Sequence, residues 1–145
     1  MITHSIEIDR RPEDVFAYLD DVERHGEWQG QIVSAKKETE GPVGVGTRVR
    51  EIRKMGRREV DATYEITEHD PPRRSAFRGL VGPVRPVGTV TVEPTGDGSK
   101  ARVSIDFDLV GYGFGKLIAP LARSQARKTI AQSQEQLKAR LEAGA

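Results

Sequence analysis

Residues 101–115 read ARVSIDFDLVGYGFG, and this stretch decides the fold. Apolar side chains alternate with polar or charged ones from Ala101 to Leu109. A period of two is typical of a β-strand that has one buried face and one solvated face. The glycine-rich turn at 111–115 leads into a stretch with helical spacing that continues to about Leu141, and no further strand follows. We therefore expect the sheet to be nearly complete before one long C-terminal helix packs across it.

The pattern of the whole chain predicts one strand, two short helical segments, six further strands and the long helix. Pro12 stands where the first helix begins, and Glu13 and Asp14 follow in its first turn, where carboxylates suit the helix dipole. A second helical turn is expected near 25–28. The predicted strands are 2–8, 32–39, 47–55, 58–68, 73–81, 87–93 and 101–110. Strands joined by short turns are antiparallel neighbours, so the pattern predicts an α+β fold with a curved seven-stranded antiparallel sheet.

The final helix is predicted from about Phe114 to Leu141. Pro120 lies inside this range, and proline cannot donate the backbone hydrogen bond that a helix interior requires. We therefore expect Pro120 either to kink the helix or to delay its start.

Composition limits the function classes. The chain has 145 residues, which suits one domain covering 1–145, and its 23 basic and 22 acidic side chains give a net charge of +1. Such a balance argues against a nucleic-acid-binding surface. There is no cysteine, no apolar run of membrane-spanning length and no signal-like N-terminus, so we expect a cytoplasmic protein without stable membrane insertion.

The three histidines do not form a metal motif. His4, His25 and His69 are scattered, and none has a partner at ligand spacing. His4 is in phase with the apolar side chains of the first strand, so it is either an acid or base in a cavity or, as we favour, a partly exposed strand histidine. The sequence indicates no metal and no cofactor.

Several segments together resemble the START-like, or SRPBCC, superfamily with its helix-grip fold, and most closely its polyketide cyclase/dehydrase and lipid-transport group. The matching segments are the start of the first helix (RPEDVFAYLDD, 11–21), the turns GPVGVGT (41–47), DPPRRSAFR (70–78) and EPTGDGS (93–99), and the final strand and helix. The resemblance covers nearly the whole chain and implies a curved sheet that grips the C-terminal helix. A curved sheet that grips a long helix can leave a hollow between the two, and a ligand could bind there. The matched residues are turn and core positions, so they do not identify the ligand.

Two charged side chains in the third strand are the first candidates for a binding site. Glu51 and Arg53 share the parity of Val49 and Met55, so all four face inward if the apolar pair does. An unpaired buried charge is costly. The two side chains could pair across a cavity or hold a polar group of a ligand. Alternatively, the strand lies near an edge and both charges reach water.

Tyr64 and the middle of the final helix are the other candidates. Tyr64 lies on the apolar side of its strand, where its hydroxyl could anchor a ligand or bond to water in the core. In the helix, the small side chains of Ala122, Ala126 and Ser133 stand where bulky ones would fill a core. Either the sheet approaches the helix closely there or a void remains. The predicted cavity-lining residues are Glu51, Arg53, Tyr64, Phe77, Val90, Phe107, Leu121 and Gln125.

Three hypotheses follow for function. The first is a carrier or binding protein for a hydrophobic or amphipathic small molecule, of a lipid or polyketide type. The second is a polyketide cyclase or dehydratase on the same fold, for which only Glu51, Arg53, Tyr64 and His4 offer acid or base groups. The third is an interaction module without a ligand. The sequence does not indicate the oligomeric state.

Overall fold

The structure is a computed structural model that describes all residues, 1–145. In chain order the elements are β1 (Ile2–Ile8), α1 (Pro12–Asp20), a 3₁₀ helix (Val22–Glu27), β2 (Ile32–Lys37), β3 (Arg48–Met55), β4 (Arg58–Asp61), β5 (Tyr64–Asp70), β6 (Arg74–Gly79), β7 (Val84–Thr95), β8 (Lys100–Gly111) and α2 (Gly115–Glu142). The predicted order of strand, two short helices, strands and one long helix is confirmed.

Seven of the strands form one continuous antiparallel sheet. Their spatial order is β1-β8-β7-β6-β5-β3-β2, and the short strand β4 pairs with β3 beside this path. The sheet curves into a half-barrel with the long helix α2 against it, so the predicted α+β helix-grip fold is confirmed.

One predicted strand is interrupted. We predicted a single strand over 58–68, but the structure has β4 and β5 with a break at Ala62 and Thr63. The cause is local, because the Asp61 carboxylate accepts hydrogen bonds from both the backbone N–H and the hydroxyl of Thr63. Such a side-chain turn competes with the hydrogen bonds of the sheet. The break separates β4, whose side chains are exposed, from β5, which belongs to the main sheet.

The concave face of the sheet carries a row of side chains that crosses five strands. Ile66 lies opposite Phe77, Phe77 opposite Gly88, Gly88 opposite Phe107 and Phe107 opposite Ile2. Gly88 makes room for the Phe77 ring, because a Cβ at this position would lie 2.8 Å from the Cζ atom of Phe77 and would force the ring to move. The alternation read from the sequence therefore assigned the apolar face of β5, β7 and β8 correctly.

The hydrophobic core lies at one end of the concave face, between the sheet, α1 and the C-terminal half of α2. α2 packs mainly against β1, β8 and β7, and α1 contacts β7 and β8. The buried cluster consists of Ile8, Val15, Phe16, Tyr18, Val92, Ala101, Val103, Leu137 and Leu141.

The start of α2 is fixed by a close backbone contact. A Cβ on Gly115 would lie 1.8 Å from the carbonyl oxygen of Pro83, so only glycine fits at this position. The helix begins at Gly115 and continues through Pro120, so the alternative that Pro120 delays the start was wrong. No helix of the chain combines the length and the apolar character needed to cross a bilayer.

Candidate functional site

The buried residues of α2 show which side of the helix packs against the sheet. Ala119, Ile130 and Leu137 are buried and lie on one side of the helix. Leu121 is two residues beyond Ala119, about 200° around the helix axis. It is 70% exposed, and Gln125 is also exposed. The prediction that Leu121 and Gln125 line a cavity is therefore not supported, because both face away from the sheet.

The inward side of the first half of α2 is made of small residues. Ala119 is buried, and Ala122 and Ala126 are half-buried. Because α2 packs chiefly on β1, β7 and β8, these alanines face the sheet close to where the concave surfaces of β5 and β6 begin. Small side chains at these positions are compatible with either a close approach of the sheet or a void beside the helix. The enclosed cavity itself stays a prediction.

Glu51 and Arg53 form an ion pair on the concave side of β3. The Glu51 side chain is only 7% exposed and that of Arg53 is 21% exposed. The Nη1 atom of Arg53 donates to Oε2 of Glu51 at 3.0 Å and to Oε1 of Gln29 at 2.9 Å. Glu51 and Arg53 therefore face inward, as does Val49 on the same side of the strand, which is fully buried. Met55, at the end of the strand, is exposed. The pair places two opposite charges at one end of the concave face.

Tyr64 lies beside this ion pair on β5. Its ring packs against that of Phe77, with the centroids 5.4 Å apart. Burial, and next the negative charge of Glu51, raise the pKa of Tyr64 far above the ordinary tyrosine value. The side chain is half-buried, and its hydroxyl makes no hydrogen bond to another protein group but is not sealed from solvent. Tyr64 therefore presents a neutral O–H group that is free to bond to a ligand or to water.

Aromatic and aliphatic side chains extend the surface away from Tyr64. Phe77 stacks in a tilted arrangement on Phe107, with a centroid distance of 6.4 Å, and Val90 lies on the same face. All three are half-buried. Six of the eight predicted lining residues thus share the concave face, namely Glu51, Arg53, Tyr64, Phe77, Val90 and Phe107.

A second polar pair on this face was not predicted. The Nε2 atom of His69 donates to Oδ2 of Asp20 at 2.8 Å, and the imidazole lies 5.6 Å from the ring of Phe16. Strict alternation from Ile66 would turn His69 outward, but the pairing of β5 with β6 shifts between Ile66 and Glu68. This bulge reverses the alternation, so His69 faces inward beneath α1.

The 3₁₀ helix covers the polar end of the concave face with two further aromatic side chains. His25 is buried, its Nε2–H donates to the carbonyl oxygen of Leu19 at 2.6 Å, and its ring meets that of Trp28 edge-on at 5.8 Å. The Nδ1 atom of His25 and the indole nitrogen of Trp28 are buried without a hydrogen-bond partner. Trp28 also packs against the hydrophobic core. His4 contacts the amide oxygen of Gln134 on α2.

Stability is expected to fall in acid because of His25. Burial lowers the pKa of His25 below its ordinary value of 6.5. The unfolded chain therefore binds more protons at this site than the folded chain, and unfolding becomes easier as the pH drops. The stabilisation is fully present above pH about 6.5 and is lost below it by about 1.4 kcal/mol per pH unit until the folded-state pKa is reached.

Urea denaturation at pH 7, 6 and 5 checks this expectation. His25→Gln keeps a donor for the Leu19 carbonyl but cannot titrate, so its free energy of unfolding should fall less steeply below pH 6.5 than that of the wild type. Equal slopes for the two proteins would show that His25 does not titrate differently on unfolding.

Eight depressions open at the surface, and two of them adjoin elements discussed above. One, of about 500 Å³, is lined by Arg58, Glu59, Val60, Asp61, Val81 and Gly82. Val60 is the cross-strand neighbour of Arg53, so this depression adjoins the polar end of the concave face. The other, of about 260 Å³, lies between α1 and the C-terminus. No cluster of three or more histidine or carboxylate side chains is placed to hold a metal ion.

Comparison with known proteins gives a family and several related folds. The sequence model described as "polyketide cyclase / dehydrase and lipid transport" matches residues 1–142. Among solved structures, TTHA0849 from Thermus thermophilus superposes with a TM-score of 0.76 at 22% identity, covering 99% of both chains. The Zhui aromatase/cyclase from Streptomyces sp. R1128 gives 0.83 at 16% identity, covering 97% of this chain and 92% of that one.

A START superfamily protein from Mycobacterium smegmatis also superposes, with a TM-score of 0.76 at 13% identity and 97% of each chain covered. At these identities the likeness concerns the fold. No curated protein sequence matches the chain significantly.

Proposed function

Because this chain belongs to the polyketide cyclase / dehydrase and lipid transport family, we propose that it binds a hydrophobic or amphipathic small molecule against the concave face of its sheet. The ligand is of a lipid or polyketide type, with an apolar body and one polar group. The apolar body lies along Phe77, Phe107 and Val90, and the alanines of α2 cover it from the other side.

The free hydroxyl of Tyr64 is the observation on which this proposal rests most. The hydroxyl forms no hydrogen bond within the protein and is not sealed from solvent, so a ligand can reach it. It stands where aromatic side chains meet an ion pair. A mostly apolar surface with a few convergent polar groups is what small-molecule sites are made of.

The charges around Tyr64 indicate which polar group suits the site. Glu51 and Arg53 neutralise each other, so the site offers no net charge to a charged head group. Tyr64 donates through its O–H, and Arg53 keeps N–H groups beyond the two bonds made by Nη1. Both are donors, so a ketone or another carbonyl oxygen fits the site better than an ammonium or a phosphate.

Binding is tested with two probes, the aromatic ketone 2-acetyl-1-naphthol and the acyl compound oleic acid. A ligand that binds only the folded state raises the melting temperature. We expect both probes to do so, and native mass spectrometry of the purified protein to show a retained small molecule. Tyr64→Phe should weaken binding of the ketone about three- to tenfold, the effect of one hydrogen bond. If neither probe shifts the melting temperature and the protein retains no small molecule, the proposal is wrong.

The pair of His69 and Asp20 favours a second candidate, an enzyme of the cyclase or dehydratase type. Such reactions begin when a base removes a proton next to a carbonyl group. Asp20 accepts the proton on Nε2 of His69, which leaves Nδ1 of the neutral imidazole as an acceptor. A histidine held in one tautomer by a carboxylate is suited to act as a general base.

Proton exchange distinguishes catalysis from simple binding. The methyl protons of 2-acetyl-1-naphthol lie next to its carbonyl group, and their exchange with deuterated water can be followed by nuclear magnetic resonance. An enzyme should accelerate this exchange, and His69→Ala should abolish the acceleration while the protein still binds the probe. If the protein binds the probe without accelerating the exchange, the enzymatic function is excluded and only the carrier function remains.

A further inference from the structure

Large apolar side chains are exposed where α2 begins and in the turn before it. They are Tyr112, Phe114, Leu117, Ile118 and Leu121, and we call them the α2 end patch. Phe114, Leu117 and Leu121 are 69%, 84% and 70% exposed. Their spacing of three and four residues places them on one side of the helix, opposite the buried Ala119. Scattered exposed apolar residues are ordinary, but a contiguous group marks an interaction site.

The chain segment that carries the patch is positively charged. Residues 109–134 contain four basic side chains and no acidic one. Arg123 is occupied, since it binds the Asp108 carboxylate and the Leu109 carbonyl oxygen at 2.8 Å each. Lys116, Arg127 and Lys128 are exposed and form no salt bridge. Three free cations therefore border the patch, in a chain whose total charge is close to neutral.

The backbone holds the patch outward. The turn that precedes α2 is fixed by the hydrogen bond from Tyr112 N to the Pro83 carbonyl oxygen, at 2.7 Å, and by the close approach of Gly115 to the same residue. Arg85 lies 4.2 Å from the centre of the Tyr112 ring and holds it in place. The first turn of α2 cannot roll its apolar side chains under the sheet, because Gly115 and Ala119 already occupy that side. The exposure is thus part of the fold.

We propose that the α2 end patch docks on membranes that contain anionic lipids. A helix face with exposed aliphatic and aromatic side chains, bordered by lysine and arginine, lies at the boundary between head groups and acyl chains. Anionic head groups complement the three free cations. A symmetric pairing of two copies through this patch is disfavoured, because it would bring two sets of unpaired cations together. This docking is peripheral and does not depend on the ligand proposed above.

Co-sedimentation with vesicles tests the docking. The full chain is mixed with vesicles of phosphatidylcholine alone, or with 30 mole per cent phosphatidylglycerol added. Each basic residue near an anionic surface is worth about fivefold in binding, so we expect at least tenfold tighter binding to the anionic vesicles. Raising the salt from about 0.05 to 0.5 M should weaken that binding, because salt screens exposed charges. Equal binding to both vesicles, or none to either, would overturn the proposal.

Matched variants separate the patch from the rest of the surface. Leu117→Glu and Leu121→Glu should each reduce binding to anionic vesicles at least tenfold. Val45→Glu is the control, since Val45 is 71% exposed but lies outside the patch, and it should bind as the wild type does. Arg127→Gln combined with Lys128→Gln should remove most of the preference for anionic lipid. A concentration-dependent dimer in ultracentrifugation that Leu117→Glu dissociates would assign the patch to a second copy and overturn the proposal.

Discussion

Ala126→Phe is expected to abolish the binding of both 2-acetyl-1-naphthol and oleic acid, with a loss of affinity of at least about a hundredfold. Ala126 is half-buried on the inward side of α2. A phenylalanine ring at this position would occupy the place between helix and sheet that we propose for the ligand. Because Ala126 is only half-buried and lies outside the buried core cluster, the protein should still fold. Isothermal titration measures the affinity, and circular dichroism measures the melting temperature without a ligand.

The neighbouring residue provides the control. Gln125 is exposed on the outer side of α2, so Gln125→Phe adds the same side chain one position away without entering the space. It should bind both probes as the wild type does. If Ala126→Phe fails to fold, Ala126→Leu introduces a smaller side chain and should cause a smaller loss of affinity. A folded Ala126→Phe protein with wild-type affinity would show that the ligand does not lie between α2 and the sheet.

The fold could be predicted from the sequence because its signals are local and repeated. The alternation from Ala101 to Leu109 fixes both the strand and its buried face, and the helical spacing after Gly115 fixes the last element. The orientation of Glu51 followed from the same rule, since it shares the parity of the buried Val49. What the sequence left open was whether β3 lies at an edge. In the structure β2 and β5 flank β3, so it is not an edge strand, and the Glu51 side chain is only 7% exposed.

The errors in the candidate site have two physical causes. The inward orientation of His69 was missed because a β-bulge after Ile66 reverses the alternation of side chains. No residue type at that point indicates a bulge. Leu121 and Gln125 were placed inward because the start of α2 is rich in large apolar residues, which normally indicate the buried side. Here the inward side carries small residues instead, and the close approach of Pro83 accounts for the first of them, Gly115.

Arg53→Met is expected to lower the free energy of unfolding by about 3 kcal/mol. Removing one partner of a buried ion pair costs about 3–5 kcal/mol, because the remaining charge is left without compensation. The Glu51 side chain is only 7% exposed and its one ion pair is with Arg53, so the carboxylate would remain buried and unpaired. The lower end of the range applies because Arg53 itself is 21% exposed and is partly solvated in the wild type. Urea denaturation at pH 7 measures the change.

The opposite single variant and the double variant show whether the pair serves stability or binding. Glu51→Leu should cost less than Arg53→Met, since the arginine that remains can reach water with its long side chain. Glu51→Leu combined with Arg53→Met removes both charges and should recover most of the stability, as apolar replacements of buried ion pairs do. If the ion pair takes part in ligand binding, this double variant should be stable but should bind 2-acetyl-1-naphthol about tenfold more weakly than the wild type.

Two results would contradict these expectations. A double variant as unstable as Arg53→Met would show that the loss of stability comes from packing. A double variant with wild-type affinity for the ketone would show that Arg53 does not contact the ligand.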